Sequence, residues 1–112
     1  MKNLKLVINN QKKSSEYFNK KELQTILNLY ARMVSSGEWK DYGLNISKKE
    51  ISFNVYRKTS EFPLYRITKN LSPKNKNDKY VVKDINGNVL KNSEYLENLI
   101  QSVKWKKLKL VN

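Results

Sequence analysis

The sequence predicts an α+β domain, an antiparallel β-meander sheet of about four to five strands with two helices packed on one face. Three observations lead there. A capped amphipathic helix lies near the start, apolar runs of period two broken by turn residues follow, and a second apolar face with helical spacing comes near the end.

The first helix carries its own start, face and stop. Asn19 can accept from the amide of Glu22 while Glu22 reaches back to the amide of Asn19, a capping box, with Phe18 and Leu23 as its hydrophobic staple. Leu23, Ile26, Leu27, Tyr30, Met33 and Val34 recur at three- and four-residue steps, and Leu29 widens the stripe. Gly37 stands where a left-handed cap ends the helix, and Trp39 and Tyr42 beyond it are expected to fasten the helix across a sheet.

Tyr42, Leu44 and Ile46 alternate with Gly43 and Asn45, and Ile51, Phe53 and Val55 alternate with Ser52 and Asn54; 47–50 between the two runs makes a hairpin. Facing Ile46 with Ile51 brings Leu44 to Phe53 and Tyr42 to Val55, with every apolar residue on one side; a slip by one would turn the set to water. Pro63 precedes a third strand, 64–69, with Tyr65 and Ile67 inward. Pairing Val55 with Ile67 places Tyr56 beside Arg66 on the outer face. The stretch 70–79 reads as a mobile positive loop. Asn86-Gly87 predicts a type I′ hairpin turn between strands at 80–85 and 88–90, with the faces of Val81 and Val82 open. Asn92 or Ser93 is expected to cap a second helix whose face is Leu96, Leu99, Ile100 and Val103. Residues 1–16 read as an edge strand or tail with a polar linker, and 17–112 as a single domain. Leu108, Leu110 and Val111 form a closing tail that can pair with a sheet edge.

Composition bounds the function. The net charge is +13, from 23 Lys and Arg against 10 Asp and Glu, which favours anionic partners, nucleic acid or an acidic protein. Lysine outnumbers arginine by 20 to 3, so composition drift on solvated faces is a competing source of the charge. No apolar run of about 18 residues can span a bilayer and no secretory leader opens the chain, so a cytoplasmic protein is expected. With neither histidine nor cysteine, the side chains most used as base and thiol nucleophile near neutral pH are missing. Nothing points to an enzyme, a metal site or a cofactor.

Arginine is the informative cation in a chain that otherwise uses lysine, because its planar fork pairs carboxylate or phosphate in a bidentate way. Arg32 can pair with a carboxylate at the helix end. Arg57 and Arg66 lie near Glu61, so one reading is an internal ion pair pinning the strand connection. The other is an anion or nucleic-acid site made by Tyr56, Arg57, Arg66 and Lys69, with loop lysines Lys74, Lys76 and Lys79 alongside. The function expected is a non-enzymatic basic binder of nucleic acid or another polyanion. The alternative is a protein-interaction adaptor or subunit.

At LNLYARMVSSGEWKDY, residues 27–42, and RKTSEFPLYRITK, residues 57–69, the chain resembles a family of short alphaproteobacterial proteins catalogued only as a domain of unknown function. The closing KKLKLV at 106–111 is similar to that family's ending, while Lys40 and Lys58 stand where the family pattern carries arginine. The resemblance implies a bacterial cytoplasmic protein of this size and assigns no catalytic residue.

Overall fold

The computed structural model describes residues 17–57 and 62–105. The expected edge strand and linker within 1–16, Glu61, and the tail from 106 onward lie outside the described residues.

Asn19 and Glu22 open the first helix, α1 (Lys20–Ser35), with both halves of the capping box formed: Glu22 N–H donates to Asn19 Oδ1 at 2.8 Å and Asn19 N–H to Glu22 Oε1 at 2.7 Å. Gly37 ends it at φ 83°. The amide of Gly37 donates to the Val34 carbonyl at 3.0 Å and that of Glu38 to Met33 at 2.9 Å, the paired bonds of a Schellman cap. Leu23, Ile26, Leu29 and Met33 are buried, so Leu29 belongs to the centre of the stripe rather than its margin. Val34, expected on that face, is 40% exposed.

Five strands then run as an antiparallel meander in the order β1-β2-β3-β4-β5: β1 (Asp41–Ile46), β2 (Glu50–Tyr56), β3 (Tyr65–Asn70), β4 (Tyr80–Asp84) and β5 (Val89–Ser93). The β1–β2 register is the one the alternation requires, with Ile46 opposite Ile51, Leu44 opposite Phe53 and Tyr42 opposite Val55. Between β2 and β3 the expected pairing is corrected by two residues: Val55 faces Tyr65, Phe53 faces Ile67 and Asn54 faces Arg66. A shift of two keeps every side chain on its side, so the faces stand although the neighbours change.

The loop 70–79 is not loose. It holds a turn of 3-10 helix at Lys76–Asp78. Asn70 N–H donates to the Lys79 carbonyl, Leu71 N–H to Lys49 at 2.9 Å, and Asn92 Nδ2 to Asp78 Oδ1 at 2.9 Å. The hairpin after β4 also differs from expectation. Gly87 has φ 85° and no other residue of the turn has positive φ, so this is not type I′. Gly87 N–H donates to the Asp84 carbonyl and Asp84 N–H to that of Asn88, both at 2.9 Å, which is a type I turn closed by a glycine in the left-handed region. The Asp84 side chain fixes this choice by accepting from the amides of Asn86 and Asn88. Asn92 and Ser93 belong to β5, and the second helix, α2 (Leu96–Ser102), starts after Tyr95 with no side-chain cap.

One core joins α1, α2 and one side of the sheet. Ile51, Phe53 and Val55 on β2, Tyr65 and Ile67 on β3, and Tyr80 and Val82 on β4 pack with Leu23, Ile26, Leu29 and Met33 of α1 and Leu96, Leu99 and Ile100 of α2. Trp39 is 1% exposed and bridges the aromatic rings of Tyr30, Tyr65 and Trp105, with centroids 6.3, 6.1 and 5.5 Å away. Tyr42 stacks on Phe53 at 4.8 Å. Val81 is buried yet stands outside this core, which marks the opposite side as the sheet's outer face.

Candidate anion-binding face

Strand parity sorts the expected site residues into three places. Alternation along β3 sends Tyr65, Ile67 and Lys69 to the helix side and Arg66 and Thr68 to the outer side. Lys69 is therefore no part of an outer anion site, and its placement there is corrected. It is 6% exposed, and its Nζ donates to Glu22 Oε1 and to the Tyr17 carbonyl, each at 2.9 Å. Tyr80 donates its hydroxyl to the other oxygen, Oε2. Burial first, then this bond and the Glu22 charge, pushes the Tyr80 hydroxyl far above its ordinary value, so it remains a protonated donor. Glu22 thus caps α1, neutralises a buried lysine and receives a buried phenol, a fully bonded cluster tying α1 to β3 and β4.

Lys76 and Lys79 make a second group, also on the helix side. With Lys21 they line a cleft of about 520 Å³ beside the start of α1, whose other wall carries Glu94 and Glu97. Lys79 lies over the Tyr80 ring at 5.4 Å. Lys74 is exposed in the same loop and does not line that cleft.

The outer face holds the rest. Two rows cross its strands. One reads Asn45, Ser52, Thr68, Val81 and Asn92; the next reads Gly43, Asn54, Arg66, Lys83 and Val89. Arg66 and Lys83 are directly opposite one another on β3 and β4, so two cations occupy a position where like charges destabilise a sheet. Neither makes an ion pair with a described residue. On the strands the acids of this face are Asp41 and Glu50, which begin β1 and β2 at opposite ends of it, and Asp78 reaches its β5 edge by accepting from Asn92 Nδ2.

Asn54 completes the row. The Ser52 hydroxyl donates to Asn54 Oδ1 at 2.6 Å, and Thr68 Oγ1 donates to Ser52 Oγ at 3.4 Å. Asn54 is 8% exposed and opposite Arg66; with its oxygen held, its amide NH₂ is left without a partner among the described residues. Three donors, Asn54, Arg66 and Lys83, thus sit side by side over β2, β3 and β4, about 5 Å apart at each step as neighbouring strands dictate. Tyr56 is on this face one step along β2, its ring against Gly43 of β1. Arg57 is exposed just past the end of β2. Arg32 is exposed on α1 and makes no ion pair with a described residue.

Reading the sequence alone missed Lys83, because the loop before β4 left the faces of Val81 and Val82 undetermined. The signal that settles it is Val82 opposite Ile67 in the core, which turns Lys83 outward. Chemically, the row can hold the oxygens of an anion. It brings together no described carboxylate pair or nucleophile suited to bond cleavage, and among the described residues no group of three or more acids gathers to hold a metal. No helix among them is long and apolar enough to cross a membrane.

Comparison with known proteins agrees with the resemblance seen in the sequence. A family model described as Protein of unknown function (DUF2794) matches residues 17–100. That span contains α1, the whole sheet and most of α2, so the match covers the elements that build both the buried cluster and the outer row. No curated protein and no solved structure matches the chain. On the family model, this chain belongs to the DUF2794 family of proteins of unknown function.

Proposed function

We propose that this is a cytoplasmic, non-enzymatic protein that binds nucleic acid through the outer face of its sheet. The observation that carries the reading is Arg66 set directly opposite Lys83 with no described carboxylate paired to either. Such a pair costs stability in the free protein and repays it only when an anion lies between the two side chains. Asn54 adds a neutral donor to the same row, and Tyr56 supplies a ring on which a base can stack. The net charge of +13 raises the local concentration of any polyanion and speeds its encounter.

Fluorescence anisotropy with labelled single-stranded RNA and DNA, starting at about 50 mM salt, tests this. Binding should weaken steeply as salt rises, and removing Arg66 or Lys83 should lower the slope of log K against log salt by about 0.7 to 0.9 each. Lys74→Ala should leave that slope closer to the wild type. Absence of binding at low salt would leave the lysine excess as surface solvation and favour the adaptor reading.

A further inference from the structure

A second cleft opens on the helix side of the sheet, where the β4–β5 hairpin, the start of β3 and the end of α2 meet. Its volume is about 620 Å³, within the range of small-molecule sites. Leu64, Ile85, Leu90 and Val103 give it an apolar lining, and Ile85 and Leu90 are 53% and 39% exposed. Lys91 and Lys104 also line it, and neither makes an ion pair with a described residue.

The feature that makes this more than a greasy hollow is Tyr65. Tyr65 is 6% exposed and lines the cleft, its ring between Trp39 and Trp105 with centroids 6.1 and 5.0 Å away. Yet its hydroxyl makes no hydrogen bond with a described residue, whereas the other buried phenol, Tyr80, is bonded to Glu22. Burial, and then the nearby carboxylates of Glu38 and Asp84, pushes the Tyr65 hydroxyl above its ordinary value, so at neutral pH it keeps its proton. Asp84 also lines the cleft, its Oδ1 accepting from the amides of Asn86 and Asn88 at 2.9 Å. A phenol donor at the wall of a cleft, with no acceptor among the described residues, is where an acceptor can arrive.

We propose that this cleft binds an aliphatic carboxylate. Its chain lies on Leu64, Ile85, Leu90 and Val103, and its head group accepts from Tyr65 Oη and is drawn in by Lys91 and Lys104. The field of a strongly basic protein favours an anionic amphiphile over a cationic one. This site is independent of the nucleic-acid reading, because Tyr65 and Arg66 are adjacent in β3 and point to opposite sides of the sheet.

The chain has two tryptophans, and both touch Tyr65, so intrinsic fluorescence reports on the cleft. Titration with 2-bromodecanoate, whose bromine quenches indole, should give saturable quenching below about 1 mM, a range set by what a ligand of this size can gain. Decanoate should displace it, decanol at least about tenfold less well, and decylamine not at all. Tyr65→Phe keeps the ring and should weaken binding about five- to tenfold, a change the size of one hydrogen bond. Leu90→Asp, at an exposed position, should abolish saturation, and Arg66→Ala should leave it unchanged. No saturable quenching, equal displacement by decylamine, or full binding by Leu90→Asp would overturn the proposal.

Discussion

Arg66 and Lys69 lie three residues apart on one strand and meet opposite fates. Lys69 is turned to the helices, loses nearly all contact with water and is held by a carbonyl and by a carboxylate that also receives a neighbouring phenol. Arg66 is turned outward, stays exposed and finds another cation, Lys83, across the strand gap. Both are basic residues in the same six-residue strand. Strand parity alone makes one an internal fastening and the other an open charge, so the charge total says little until the face of each residue is known.

The comparison breaks most forcefully at the buried end. Lys69→Met should destabilise the protein by about 3–5 kcal/mol, because Glu22 is left buried with its charge unpaired. Pairing that change with Glu22→Gln, which removes the buried charge and keeps one oxygen, enough for either the Asn19 amide or the Tyr80 hydroxyl, should cost less than Lys69→Met alone. Chemical denaturation of the three variants measures both effects. If Lys69→Met is as stable as the wild type, the cluster does not hold the helix to the sheet.

Next in size come the devices that end α1. Gly37 sits at φ 83°, so Gly37→Ala should cost about 1–2 kcal/mol through strain in the left-handed region. Asn19→Ala, which removes half of the capping box, should cost about 1 kcal/mol. Thermal melts of these variants give the order.

A pH dependence follows from the same cluster. The folded state binds the Tyr80 proton more tightly than the unfolded chain, where the phenol titrates near 10. Its contribution is therefore complete below about pH 10 and is lost as pH rises beyond that toward the folded value. Tyr30, Tyr42 and Tyr65 are shifted in the same direction. Denaturation midpoints between pH 9 and 11 should fall for the wild type, and fall less steeply for Tyr80→Phe.

At the outward end the stability effect is smallest. Arg66→Ala or Lys83→Ala should change unfolding free energy by no more than about 0.5 kcal/mol, with a gain expected from relief of repulsion. Their effect belongs to binding.

The fold was largely readable because its local signals agree with one another. Asn19, Glu22 and Gly37 each predict a boundary of α1, and the alternation in β1 and β2 admits one register. The site was less readable for two physical reasons. Glu22 had an adequate local role as a cap, which hid that the same carboxylate serves Lys69 from 47 residues away. Lys69 also continues the inward period of Tyr65 and Ile67, a pattern that signals a buried partner once it is followed one step further. Lys83 was out of reach, since a ten-residue connection sets no register and Val81 and Val82 are both apolar. The turn at 84–88 was mistaken because Asn-Gly suits two hairpin geometries, and the Asp84 side chain selects the second.

The most direct test of the outer face is a titration of ¹⁵N-labelled protein with a short single-stranded oligonucleotide, followed by NMR. Shifts concentrated at Asn54, Tyr56, Arg66, Thr68 and Lys83, with Lys69 and Tyr80 unmoved, are the predicted result. Shifts confined to Lys21, Lys76 and Lys79, or spread evenly over exposed lysines, would contradict it.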